Sequence, residues 1–189
     1  PGRRSPAGAA QRPARRSGVL TCIRNLDVTT TTFGYHPTQD RVWMRAHEPD
    51  VTIWLTRRMV RSLLGPMLKA FEDSTPGEQG GAPPRARAAI EHQLSLHEVA
   101  PGQRPARIVA GRETPGAHSD PQERLCTRVS VQTGAQTVVL NFETEGGPLA
   151  LRLSRKGMHL WYRGLSMVLK QAQWQLPDAL PEWLQEVIL

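Results

Sequence analysis

The side chains with chemical reach in this 189-residue chain are six histidines, two cysteines and two basic pairs. His92 and His97 are five apart. On a helix that spacing turns them about 140° from each other, off a common face, so they make a poor metal pair. His47, beside Glu48 and Asp50, reads as part of a polar turn between strands. His159, near Trp161 in a helix-forming stretch, reads as an exposed or edge residue rather than an acid–base catalyst. Cys22 and Cys126 have no neighbouring His or second Cys to complete a site, and read as small apolar residues rather than a redox or metal pair. The spacings that announce phosphate cradles, zinc sites or nucleophile elbows do not occur. No catalytic residue, metal or cofactor is assigned.

The basic pairs Arg57-Arg58 and Arg155-Lys156 stand just inside two expected helices. Cations at a helix start oppose the macrodipole. A guanidinium added to free helix N–H groups can receive phosphate or carboxylate, which makes Arg57, Arg58, Arg155 and Lys156 the candidate nucleic-acid or anion site. Trp43, Trp54 and Trp161 could stack on bases if exposed, although aromatic residues in strands and helices more often build a core.

The elements that must position these residues recur in the same order. Cys22-Ile23-Arg24, Val42-Trp43-Met44, Val51 to Met59 and Met67-Leu68-Lys69-Ala70 are answered by Cys126-Thr127-Arg128, Val138-Val139-Leu140, Leu149 to Lys156 and Val168-Leu169-Lys170, at offsets of 104, 96, 98 and 101. This pattern predicts an internal duplication. Each half reads as strands followed by a helix. Candidate strands are Val19 to Arg24, Val28 to Phe33, Arg41 to Ala46 and Val51 to Leu55 in the first half, with a turn at Gly34-Tyr35-His36-Pro37. In the second they are Leu125 to Gln132, Thr137 to Phe142 and Leu149 to Leu153. Thr56 and Ser154 are the expected N-caps. Met59, Leu63, Leu64, Met67, Leu68 and Phe71 give one apolar helical stripe, and Leu160, Trp161, Leu165, Val168, Leu169 and Ala172 the other. Pro66 removes the amide that would bond the Ser62 carbonyl and predicts a kink.

The expected fold is therefore α+β: two related antiparallel strand-strand-strand-helix halves, 18–73 and 125–189, forming one pseudo-symmetric domain. A disordered arginine-rich tail (1–17) precedes them, and a long Pro/Gly-rich insertion (74–124) separates them. Within the insertion, Arg85 to Val99 predicts a short helix that is marginal unless docked. Beyond the second helix, Trp183, Leu184, Val187, Ile188 and Leu189 form an apolar end. Trp183, Leu184 and Ile188 are the candidate partner-binding residues. The tandem of sheet-plus-helix units resembles the architecture of Whirly-type single-stranded nucleic-acid binders, which implies nucleic-acid binding as an alternative function. No motif of that family is matched residue by residue, so no site is carried over.

Composition sets the limits. Apolar residues make up 39 %, while 16 Gly and 16 Pro commit much of the chain to turns. The formal charge is +7, of which five charges come from Arg3, Arg4, Arg12, Arg15 and Arg16 in a stretch without acids. The foldable segments are nearly neutral, whereas nucleic-acid-binding domains gather charge on a folded face. No apolar run approaches the roughly 20 residues of a membrane span, and a reducing cytoplasm is the expected address. The sequence thus points to a non-catalytic adaptor or accessory subunit. It would bind a protein through apolar surface, with the tail supplying salt-sensitive attraction. A nucleic-acid-binding module and a small enzyme with an unrecognised site are the alternatives.

Overall fold

The computed structural model of the chain describes residues 24–26, 31–47, 50–74, 81–97, 106–108, 122–134 and 136–176. The fold is mixed α+β, with eight strands and three helices among the described residues. The strands are β1 (Arg24–Leu26), β2 (Thr31–His36), β3 (Arg41–His47), β4 (Asp50–Thr56), β5 (Ala106–Ile108), β6 (Gln122–Thr133), β7 (Thr137–Thr144) and β8 (Leu149–Ser154). The helices are α1 (Arg57–Ser74), α2 (Pro84–His97) and α3 (Arg155–Gln171). One sheet in the order β1-β8-β7-β6-β4-β3-β2-β5 contains all the strands, six of them long and the two outermost only three residues each.

Two antiparallel meanders, β2-β3-β4 and β6-β7-β8, each run into a helix. Each meander is antiparallel as expected, and the junction between them is parallel. β4 and β6 pair in parallel, with Val51 opposite Gln122 and Trp54 opposite Leu125. The short strands β1 and β5 also pair in parallel, on β8 and β2. A parallel pair cannot be closed by a hairpin, so the chain between β4 and β6 must cross over, and α1 and α2 lie within that crossover.

Period-two patterning decides which side of the sheet the helices cover. Val42, Met44 and Ala46 of β3, Val51, Ile53 and Leu55 of β4, Val138, Leu140 and Phe142 of β7, and Leu149, Leu151 and Leu153 of β8 join one buried cluster with the helical stripes. Each Val, Leu, Ile, Met or Phe among them stabilises the fold by roughly 1.5–3 kcal/mol when fully buried. α1 leaves β4 and packs on β6, while α3 leaves β8 and packs on β2 and β5, towards the far edge. A single helix that touches both β8 and β2 requires the sheet to curl around it. At the centre of this curl Trp161 meets Phe33 edge-on at 5.3 Å and directs its indole N–H to Met44 Sδ at 3.2 Å.

Local chemistry explains the ends of the elements. Ser154 caps α3, its Oγ accepting from the Gly157 amide at 3.0 Å, and Thr56 Oγ1 accepts from the Met59 amide at 3.3 Å. α1 runs on through Pro66. Pro66 and Ser62 are both exposed, on the side where water can reach a carbonyl left without an intrahelical partner.

Gly34 is not a turn residue, contrary to the sequence reading: it lies within β2 opposite Trp43, and the turn falls at 37–40 instead. A Cβ on Gly34 would stand 2.2 Å from Trp43 Cζ2, so the strand can pass beneath the indole only as glycine. Trp43, Trp54 and Trp161 are all buried, which removes them as exposed stacking surfaces. The 74–124 segment is not simply linker, since it contributes both α2 and β5. Residues 1–17 lie outside the described residues. Among the described residues no helix is long and apolar enough to cross a membrane.

Candidate functional site

α2 is docked on α1 and α3 with an inverted pattern. Its buried positions are Ala88, His92 and Ser95, spaced i, i+4, i+7, whereas Ile90 and Leu94 are 58 % and 54 % exposed. A surface helix ordinarily buries its aliphatic stripe and leaves small or polar residues in water. Here the reverse holds because the surface of α3 that receives α2 is itself polar and aromatic. His159, Tyr162 and Ser166, spaced i, i+3, i+7, form a buried flank beside the apolar stripe of Trp161, Leu165, Val168 and Leu169.

A histidine pair lies in the contact between α2 and α3. His92 Nδ1 and His159 Nδ1 lie 3.1 Å apart, and both residues are almost fully buried. A neutral imidazole has one donor and one acceptor nitrogen, so the pair can form one hydrogen bond when the two rings hold opposite tautomers. His159 stacks on Phe71 of α1, with centroids 4.5 Å apart and planes 18° from parallel. Tyr162 approaches His92 edge-on at 5.9 Å. Burial lowers His92 to about 4, with Arg163 adding to the effect, and lowers His159 to about 3, helped by His92 and Arg155. Burial likewise pushes the Tyr162 phenol up, and its Oη finds no hydrogen-bond partner among the described residues. At neutral pH all three groups are uncharged.

The sequence reading of His159 as exposed is therefore corrected. The apolar stripe marks one covered side of α3, and α2 covers a second. His97, by contrast, is exposed, as its angular distance from His92 requires. No group of three or more His, Cys, Asp or Glu positioned to hold a metal occurs among the described residues.

The two basic pairs sit at separate helix starts, and the arginine that opens each is bound by a carboxylate of another element. Arg155 pairs with Glu91 of α2, whose second oxygen lies 3.9 Å from His159 Nε2. Arg57 pairs with Asp40 at 3.4 Å, and its guanidinium lies over the Trp174 ring, 5.3 Å from the centroid. Asp40 also accepts from Trp174 Nε1 at 2.6 Å and from Tyr35 Oη at 2.9 Å, bonds that hold its carboxyl below the ordinary carboxylate range. Asp40 adopts φ 48°, a left-handed conformation that Asp tolerates better than most residues. Arg58 projects into solvent and Lys156 is half-buried.

Cys126 is buried, donates to the Arg128 carbonyl at 3.2 Å and has its thiol pushed up to about 11 by burial, which keeps it an inert thiol at neutral pH. Cys22, Trp183, Leu184 and Ile188 lie outside the described residues. The histidine pair was missed in the sequence because its members are 67 positions apart. The readable signal was the small-polar spacing of Ala88, His92 and Ser95. Comparison with protein families, with curated proteins and with solved structures finds no match.

Proposed function

We propose that the protein is a non-catalytic adaptor that holds a partner protein against the outward side of α2. The observation that carries this reading is the inversion of α2. Ile90 and Leu94 are left a little over half exposed by a docked helix, and each forgoes roughly 1–1.5 kcal/mol of burial that a partner surface would recover. Arg85 is exposed on the same helix and Arg87 half-exposed, while Glu91 is bound to Arg155, so the partner's rim is expected to be acidic. In this proposal the arginine-rich residues 1–17 add long-range attraction, and Trp183, Leu184 and Ile188 supply a second apolar contact.

We further infer that the two meander-helix units descend from one ancestral unit. Three of the four matched blocks fall on corresponding elements, β3 with β7, β4 with β8 and α1 with α3. Each helix also crosses to the first long strand of the other unit. The capture of Arg57 and Arg155 by carboxylates weighs against a nucleic-acid site at the helix starts, and leaves the tail as the source of any such binding.

The test uses a photo-crosslinking amino acid at position 94 in the source cell, followed by titration of the purified captured protein. The Ile90→Asp/Leu94→Asp variant should bind at least tenfold more weakly while keeping its circular dichroism spectrum. Undiminished binding ends the proposal. Anisotropy with labelled single strands at two salt concentrations tests the rival: a steep salt slope lost on deleting residues 1–17 supports it, and no binding at low salt removes it.

A further inference from the structure

We propose that the His92–His159 pair is an acid-sensitive latch, and that its protonation releases α2 from α1 and α3 while the sheet stays folded. The geometry supplies the mechanism. The two Nδ1 atoms, 3.1 Å apart, share one proton when both rings are neutral. A first added proton enters the outer Nε2 of whichever ring is the donor, and the Nδ1–H···Nδ1 bond survives. A second proton must go to the accepting Nδ1. Two N–H groups then point at each other across 3.1 Å, and the hydrogen bond is lost.

The surroundings admit neither charge easily. From α3, Arg155 and Arg163 repel an imidazolium, and Tyr162 contributes a neutral phenol and an aromatic edge. From α1 the neighbour is the Phe71 ring, stacked on His159 and edge-on to His92 at 6.3 Å. Among the described residues of α2, the carboxylate beside the pair is that of Glu91, which is also engaged by Arg155. Water can solvate the charged pair only if α2 moves away.

Besides the histidines, the Arg155–Glu91 ion pair ties α2 to α3, and the apolar contribution of α2 is small. The buried residues of α2 besides His92 are Ala88 and Ser95, which bring a methyl and a hydroxyl to the contact. The histidine pair and the ion pair beside it are therefore the polar contacts through which pH acts on this helix. α1 and α3 are held differently, by stripes of Leu, Met, Phe and Trp in the main core, so α2 can leave without them. The latch does not depend on the adaptor reading. It concerns where α2 sits, and it would hold whether or not the outward side of α2 has a partner.

The sign follows from linkage. A released histidine titrates near the ordinary 6.5, and a docked one below it. Released α2 thus binds more protons across the interval from about 6.5 down to about 4, and docking weakens as pH falls through it. For two histidines the opening equilibrium should rise roughly 70-fold between pH 7 and pH 5.5, and stay flat above pH 7.5. Native-state hydrogen exchange on the full chain, corrected for intrinsic rates, reads this directly. The amides of residues 88–97 should lose about 70-fold in protection while those of β3, β4 and β7 keep theirs. In His92→Leu/His159→Leu the dependence should vanish with α2 still protected.

Three results overturn the proposal: pH-independent protection of α2 in the wild-type chain, loss of protection in α2 and the strands together, or an unchanged slope in the double variant. If that variant does not fold, NMR titration of the wild-type ring protons decides. Imidazole resonances of His92 and His159 that titrate near 6.5 without any change in the α2 amides overturn it, and resonances displaced to lower pH in step with those amides support it.

Discussion

The starts of α1 and α3 present the same sequence feature and solve it in two environments. Both helices open on arginine with no acid in the first turn, an arrangement the helix dipole disfavours. At α1 the answering carboxylate, Asp40, belongs to a surface turn, and the Arg57–Asp40 pair is about half exposed on each side. At α3 the answering carboxylate, Glu91, belongs to a neighbouring helix, and both side chains are only 20 % exposed. The exposed pair is screened by water and salt, and organises an aromatic contact more than it supplies energy. The sheltered pair carries a desolvation cost, touches a titratable group and couples helix docking to charge. The lesson is that a repeated motif in sequence does not fix its role. The dielectric around it does.

Variants at the two helix starts test the contrast. The largest effect is expected at the α1 start, but from the ring rather than the ions. Trp174 is 5 % exposed, and Trp174→Ala should cost about 3–5 kcal/mol in urea unfolding by the cost of large-to-small substitution. A cost below about 1 kcal/mol would mean that the segment after α3 contributes nothing to the core. Next, Glu91→Ala leaves Arg155 sheltered and without its carboxylate, and should cost about 1–3 kcal/mol. The double replacement Glu91→Met/Arg155→Met should recover most of that loss, and failure to recover would show that the ion pair is not the source. Third, the two starts should respond to acid at different pH. The environment of α3 changes as pH falls from about 6.5 towards 4. The Asp40 cluster keeps its contribution until pH drops below the ordinary carboxylate range, because its folded carboxyl is held low and is protonated last. Separate tryptophan and histidine signals in an NMR titration would resolve the two windows. Smallest is Arg57→Ala, with a Tm shift of no more than about 2 °C that disappears in 1 M salt. A larger, salt-resistant shift would place α1 in the same class as α3.

Much of the architecture could be read in advance because it is written in short-range patterns. The strands β3, β4, β7 and β8 follow from alternation at Val42 to Ala46, Val51 to Leu55, Val138 to Phe142 and Leu149 to Leu153, and the two long helices from their stripes and hydroxyl caps. What could not be read depends on contacts between distant segments. Gly34 looked like a turn because glycine usually marks one, and only the indole of Trp43 across the strand pair explains it as part of β2. His159 looked exposed because nothing near it in sequence announces that α2 will cover it. The parallel pairing of β4 with β6 was equally hidden, since alternation specifies a face but not a neighbour. Among the candidate site residues, Arg57 and Arg155 stand out in the sequence as cations at helix starts, but their carboxylate partners at positions 40 and 91 leave no trace in local spacing.

The parallel seam between β4 and β6 also bears on how the chain is made. Its two sides, residues 51–54 and 122–125, are separated by about 70 residues, so β4 emerges from the ribosome with one edge open until the later segment has been synthesised. A loop of that length closes slowly compared with a hairpin, and the seam should be among the last contacts to form. Fragments ending before residue 122 would carry a permanently unsatisfied strand edge beside an apolar layer, and should aggregate rather than persist as a stable half.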